Sequence, residues 1–308
     1  MSREHVMDPQ VIHHGWDLDL PPALEIASGD VVNYDVQVAG EGQVWLGAAL
    51  EETKFDFATI YNLSGPLFVK GAEPGDTLQI DVLELDHGDW GWSASIPGFG
   101  LLADEFPEGY LRTFDIRGRD SVSFAPGVEV PLGPFLGTMG NHPGEPRQAA
   151  PFPPHQGGGN IDNRHLTRGT TLWLPVHVEG GMFSCGDPHA VQGDGEVCLT
   201  AVEAPATTTL RFTLHKKSIA APSFRVPPNA VRDPNVGGYH ATMGISPDLL
   251  ECSRMATRAM IEWLQEEQGL SREDSYILCS IAGDLKVIEV VDAGMWNVAM
   301  TMPLSIFG

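Results

Sequence analysis

Basic residues are scarce in this chain. Eighteen Lys and Arg stand against forty-one Asp and Glu, a formal net charge of −23. A surface of that sign repels phosphate backbones and anionic headgroups within a Debye length, so neither nucleic acid nor a membrane surface is expected as a partner. The acidity reads as a solubility device. Long apolar runs are also missing: no stretch approaches the roughly eighteen apolar residues that a bilayer-spanning helix needs. The opening residues, Met1-Ser2-Arg3-Glu4-His5-Val6-Met7-Asp8, have no apolar signal-peptide core, so a cytoplasmic globular protein is expected. The four cysteines, Cys185, Cys198, Cys252 and Cys279, lack paired ligand spacing. That excludes a disulfide framework and a cysteine metal knot and leaves buried free thiols. A nucleophilic Cys185, beside Gly186-Asp187-Pro188-His189, is the alternative. No HExxH, GxSxG or P-loop pattern occurs, and the triplet Gly157-Gly158-Gly159 does not open onto a helix, so a nucleotide cradle is excluded.

Glycine and proline, in contrast, are plentiful at thirty-five and twenty-four, and they punctuate short apolar alternations rather than long helices. Val32, Tyr34, Val36 and Val38 alternate with polar residues, as do Leu78, Ile80 and Val82. Further strands are expected over residues 171–178, 196–203 and 210–215. The turns Ser28-Gly29-Asp30 and Pro74-Gly75-Asp76 have one form and hint at a repeated β unit. Residues 137–159 carry five prolines and read as a long functional loop whose His142 and His155 either line a site or face solvent. Near the end Ser246 is placed as N-cap and Gly269 as the stop of a helix with Leu249, Cys252, Ala256, Met260, Trp263 and Leu264 on one face. Ser271-Arg272-Glu273-Asp274 opens a second helix, and residues 285–291 form a strand. The expectation is a mainly β protein, a β-sandwich or distorted barrel over residues 1–215, with an α+β part over 216–308 whose helical hairpin packs on it.

The chemistry concentrates in two neighbouring stretches, Gly157 to Leu166 and Gly186 to Val197. Glycine admits close backbone approach, and His, Asp and Glu hold metals and move protons. A metal site needs three or four such ligands from separate turns, and Asp162, Asp187, His189, Asp194 and Glu196 are the candidates. The segment from Thr170 to Phe183 is expected to run as strand, turn and returning strand, bringing the two stretches together. If Glu196 enters a strand, it shares a face with Cys198. Each Asp taken singly also reads as a turn residue capping its own backbone. Near the start, His13 and His14 on a strand face opposite ways, so one at most reaches a shared site, and His13 is chosen. Ser64 reads as part of a Ser-Gly-Pro turn.

These blocks, together with Pro134-Phe135-Leu136-Gly137 and Gly71-Ala72-Glu73-Pro74-Gly75-Asp76, resemble the acetamidase/formamidase family along nearly the whole chain. The most specific are Gly186-Asp187-Pro188-His189-Ala190 and Gln192-Gly193-Asp194-Gly195-Glu196. The resemblance implies hydrolysis of small linear amides such as formamide or acetamide, with γ-lactams as substrates of some relatives. It also implies a β-rich fold, a bound divalent cation with zinc ahead of calcium, and a homodimer or higher homo-oligomer. A non-catalytic metal- or ligand-binding β protein is the remaining alternative. Carried onto matching positions, the resemblance places Glu196, Asp194 and Asn160 in catalysis and His13, Asn62, Gly159 and Gly193 at the substrate. Asp162, Asp187 and His189 become metal ligands. The run Tyr61-Asn62-Leu63-Ser64-Gly65-Pro66 departs from the family's usual pattern, which leaves the substrate open to bulkier or cyclic amides.

Overall fold

The computed structural model describes residues 2–228, 238–290 and 294–308. Its frame is two packed sheets. The first has six strands in the order Glu4–Val6, Val31–Val36, Ala206–His215, Thr77–His87, Thr171–Pro175 and Ser223–Arg225. The second is built around Phe183–Val191, which pairs with Phe135–Gly140, Leu63–Val69 and Val202–Glu203. Alternation predicts the first sheet well, because Val32, Tyr34, Val36, Leu78, Ile80, Leu210 and Phe212 all point into one core. Leu67, Leu136, Met139 and Phe183 fill that core from the second sheet. Among the described residues the architecture is a sandwich and no closed barrel. The two Gly-Asp turns are alike in detail. Asp30 accepts from the N–H of Ala27 and Asp76 from that of Glu73, each three residues back, before strands of the same sheet.

The second core lies under the C-terminal helices. Helix α1 spans Leu249–Gln268 and α2 spans Arg272–Ala282. Cys252, Ala256, Met260 and Leu264 form the buried face of α1, whereas Leu249 is 40% exposed. These side chains pack with Phe114, Phe124 and Val202, so the core crosses the expected boundary at residue 215. The cap of α1 is Asp248 rather than Ser246: its carboxylate accepts from the N–H of Leu250 and Glu251. Ser246 is taken up as the last residue of the strand Tyr239–Ser246, paired with Trp296. Gly269 ends α1 at φ 65°, as a C-terminal glycine should. The expected strand at 285–291 is found at Asp284–Glu289, and Val291 lies outside the described residues. Among the described residues no helix is long and apolar enough to cross a membrane.

Four other expectations change. The segment after Thr170 is no hairpin: Thr171–Pro175 belongs to the first sheet and Phe183–Val191 to the second. Ser64 lies within the strand Leu63–Val69 instead of a turn. The strand expected at 196–203 shrinks to Val202–Glu203, because Gly195, Glu196 and Leu199 take positive φ and coil the chain. The proline-rich stretch is partly structured too. Gly158–Asn160 adds to the edge of the second sheet beside Phe135–Gly140.

Candidate active site

The strand Phe135–Gly140 joins the two informative stretches. Thr138 pairs with Asn160 on one side and Gly186 on the other, which sets Asp162 and Asp187 over neighbouring positions of the same sheet. Gly137 lies beneath them. A Cβ there would stand 2.7 Å from Asp162 Oδ1 and 2.8 Å from Asp187 Oδ2, so only glycine leaves that space open. His189 enters two residues after Asp187, with its ring held edge-on by Phe135 at 4.9 Å. Glu203 stands opposite His189 across the ladder to Val202–Glu203. Glu196 arrives from the coil between these strands. Ligand-type atoms of Asp162, His189 and Glu196 converge within 4.8 Å, as do those of Asp187, His189 and Glu203.

Among the described residues five non-glycine positions have positive φ: Asp162, Met182, Asp187, Glu196 and Leu199. Three of the five are carboxylates of this cluster. Such backbone costs on the order of 1–3 kcal/mol per residue and persists where the surroundings impose it, which marks functional sites more often than frameworks.

Hydrogen bonds fix the imidazole. His189 Nδ1 lies 2.9 Å from Gln192 Oε1, and Gln192 is itself oriented by donating Nε2–H to the Asp162 carbonyl at 2.8 Å. An amide oxygen only accepts, so Nδ1 carries the proton. Nε2 then faces Glu203 Oε2 at 3.1 Å and Asp187 Oδ2 at 3.4 Å. Neither approach is aligned as a hydrogen bond, and His189 Nε2, Glu203 Oε2 and Asp162 Oδ1 are buried without a partner. A lone pair aimed at two carboxylates is repulsive unless a proton or a metal cation lies among them.

The electrostatics agree. Burial, then the charge of Asp187, pushes the Asp162 carboxyl up to about 7. Burial chiefly, with Glu203 adding to it, pushes Asp187 up to about 6. The carboxyl of Glu196, a half-buried residue, is raised well above the ordinary range by burial and by the charge of Asp162. Burial alone would lower His189, and the carboxylates Glu203 and Asp187 outweigh it and raise it. Mutually repelling acids of this kind share protons at neutral pH.

The cluster opens on a cavity of about 50 Å³ that includes Asp187, Glu203, Tyr61, Trp92 and Thr200 in its wall. Burial and four nearby carboxylates hold the Tyr61 hydroxyl protonated. Tyr61 Oη accepts from Asn160 Nδ2 at 3.4 Å, and the same amide donates to Asp162 Oδ2 at 2.8 Å. Thr138 Oγ1 in turn donates to Asn160 Oδ1 at 2.6 Å.

The residues selected from the sequence divide accordingly. Asp162, Asp187, His189, Glu196 and Asn160 come together. Asp194 stays outside, with Oδ1 3.3 Å from His165 Nε2. Gly193 faces α2, where a Cβ would overlap the carbonyl of Gly283. Gly159 sits over His155, whose Nε2 would lie 2.7 Å from a Cβ. His13 bonds Ser184 Oγ at 2.8 Å and the Gly15 carbonyl, one strand away from the acids. Asn62 is buried and presents its carbonyl to Gly186. His14 holds the Tyr61 carbonyl at 2.8 Å. His142 and His155 bond local backbone. Cys185 is buried in the apolar core, where burial pushes its thiol up, so nothing there activates a thiolate.

Glu203, Gln192 and Tyr61 were not selected from the sequence. Gln192 lies inside the run Gln192-Gly193-Asp194-Gly195-Glu196, and Tyr61 in the segment that departs from the family pattern. Glu203 had no signal, since cross-strand register is unreadable from spacing.

A model of the acetamidase/formamidase family matches residues 1–150 and 146–308. The acetamidase of Mycolicibacterium smegmatis is 28% identical over 60% of this chain, which spans 61% of that protein's length. The formamidase of Methylophilus methylotrophus is 27% identical, covering 77% of this chain and 72% of its own. Among solved structures, a γ-lactamase from Delftia acidovorans matches with TM-score 0.89 and 25% identity over 98% of this chain and 93% of that one. An acetamidase from Bacillus halodurans matches with TM-score 0.67 and 28% identity over 98% and 97%. Matched by the family model from its first residue to its last, the chain belongs to the acetamidase/formamidase family.

Proposed function

We infer that the chain hydrolyses the C–N bond of small non-peptide amides, formamide- or acetamide-like, to a carboxylate and ammonia. The observation that carries this reading is the set of buried acids in strained backbone around His189, opening on a cavity sized for few heavy atoms. Amide hydrolysis asks for a base on water, a donor for the carbonyl oxygen and an acid for the leaving nitrogen. Glu196 or Asp162 holds a proton for the nitrogen, since burial keeps one of them neutral. An ionised carboxylate beside it takes the proton of water. Tyr61, which keeps its proton and accepts from Asn160, has its O–H available to donate to the carbonyl oxygen. Asn160 spends its amide on Asp162 and Tyr61, so its part is to position them.

The donor set fits a divalent cation. The unpartnered Nε2 of His189, Asp162 Oδ1 and Glu203 Oε2 are what a metal would satisfy, and the bare Gly137 leaves it room. Asp162, Asp187 and His189, helped by Glu196 and Glu203, would hold it. Mixed imidazole and carboxylate ligands favour zinc over calcium, which prefers six or more oxygens. Bound there, the ion would supply Lewis acidity at the amide carbonyl.

Ammonia release from formamide and acetamide by purified protein, with metal content measured on the same sample, tests the reading. Glu196→Gln is expected to lower turnover at least about 100-fold without lowering Tm. Full activity in a preparation free of divalent metal would remove the cation from the account. Ring opening of a γ-lactam is the second reading. The higher TM-score to the γ-lactamase than to the acetamidase favours it, and a lactam turned over faster than acetamide would establish it.

A further inference from the structure

The wall of the cavity extends beyond what a formamide or acetamide can touch. Tyr61 beside Asn160 begins a continuous aromatic run. Its ring meets Phe152 edge-on at 4.9 Å, Phe152 lies 6.1 Å from Phe57, and Phe57 lies 5.0 Å from Phe99. Leu199 lines the same cavity. Four separate segments of chain thus supply apolar side chains to one mouth. Phe99, Phe152 and Leu199 are 43%, 36% and 37% exposed, which no framework role requires. Leu199 is held at φ 91°, a backbone state that leucine avoids, with its side chain at the cavity.

The cavity that these side chains line together with Asp187 and Glu203 is about 50 Å³. That exceeds the roughly 10–15 Å³ a single water needs and falls short of the roughly 150 Å³ of a cavity that encloses benzene. It accommodates a carboxamide and little more. Phe57, Phe99 and Phe152 line this same cavity, so whatever is attached to the acyl carbon lies against them and extends over the exposed Phe99 and Phe152.

Resting on the amidase reading, we propose that the substrate class is primary amides with an apolar acyl chain or ring of several carbons, gripped at the mouth by Phe57, Phe99, Phe152 and Leu199. Water adds to the carbonyl carbon, the C–N bond breaks and the nitrogen departs as ammonia with a proton from the acid cluster. The acyl group stays against the aromatic wall as the carboxylate forms. The four mouth residues select the substrate and take no part in proton transfer.

The test is kcat/KM for acetamide, butyramide, hexanamide and benzamide, read as ammonia release, with the wild-type chain and with Phe99→Ala, Phe99→Leu and Phe152→Ala. Burial of each methylene is worth roughly fourfold, so hexanamide is expected to exceed acetamide at least tenfold. The hexanamide-to-acetamide ratio falls several-fold in Phe99→Ala and Phe152→Ala and is largely kept in Phe99→Leu. Ammonia from acetamide with a flat or falling series overturns this inference and leaves the amidase reading standing. An unchanged ratio in both alanine variants also overturns it. No ammonia from any amide overturns both.

Discussion

Gly137 carries the sharpest consequence at the scale of single residues. Its missing side chain is the space on which Asp162 and Asp187 converge, and a Cβ would also press on the Asp187 carbonyl at 2.8 Å. Gly137→Ala is expected to cut turnover at least about 100-fold and to reduce bound divalent metal in elemental analysis, while the far-UV spectrum stays that of the wild type. Normal turnover in that variant would mean that the chemistry lies elsewhere. Asp30 gives a residue-scale prediction remote from the site. Burial alone would raise its carboxyl, but the N–H groups of Ala27 and Arg3 and the His5 ring outweigh it and hold it below the ordinary carboxylate range. The contribution is therefore complete above the unfolded pKa of about 4 and is lost as pH falls through the lower folded value. Asp30→Asn is expected to cost about 1–3 kcal/mol at pH 7. The gap between variant and wild type in urea midpoints should narrow below pH 4, and a gap independent of pH would refute the assignment.

Among elements, α2 does more than fill the core. Its Ser280 carbonyl accepts from Gly193 N–H at 2.7 Å, and Ser280 Oγ accepts from Cys198 N–H at 3.2 Å. Tyr276 donates its hydroxyl to the Val197 carbonyl and accepts from Leu102 N–H. The coil that presents Glu196 is thus clamped at three points by one helix, and Gly193 is glycine because its backbone lies against Gly283. Ser280→Ala leaves a buried N–H unpaired, which costs about 1–3 kcal/mol. The expected outcome is a lower Tm together with a lower kcat, since Glu196 loses its support, and a Tm loss with unchanged kcat would confine α2 to a structural part. This clamp also shows what the sequence could and could not disclose. Both helices were legible because caps and a 3.6-residue stripe are local signals, and even the error at Ser246 was two residues. The strands of the first sheet were legible by alternation. The coil at 196–200 was not, because positive φ at Glu196 and Leu199 is imposed by tertiary packing and breaks the two-residue period of a strand. Asp162, Asp187, His189 and Glu196 stood out as residue types. Glu203 and the aromatic mouth are assembled by register and by loops far apart in the chain, which no spacing records.

At the scale of the whole molecule, the excess of twenty-three acidic over basic residues, forty-one less eighteen, sets how the fold responds to its solution. Many of the scarce cations are committed. Arg112 lies 2.7 Å from Asp274, Arg272 2.7 Å from Glu105, Arg168 2.8 Å from Glu84 and Lys216 2.8 Å from Asp76. Pairs that solvent reaches contribute about 0–1 kcal/mol each and weaken in salt. The acids in excess of them repel one another in the compact state, and that repulsion also weakens in salt, over a Debye length that falls from about 30 Å at 10 mM to 3 Å at 1 M. Because the repelling charges outnumber the paired ones, the second effect should win. Tm is therefore expected to rise by several degrees between low salt and about 0.5 M, measured by differential scanning fluorimetry. Tetramethylammonium chloride separates screening from ligation, since that cation is too large and too soft a charge for the carboxylate cluster around Gly137. An equal rise with it and with sodium chloride is the expected result. A rise with sodium alone would locate the effect in cation binding, and a fall in both salts would show that the surface ion pairs outweigh the net charge.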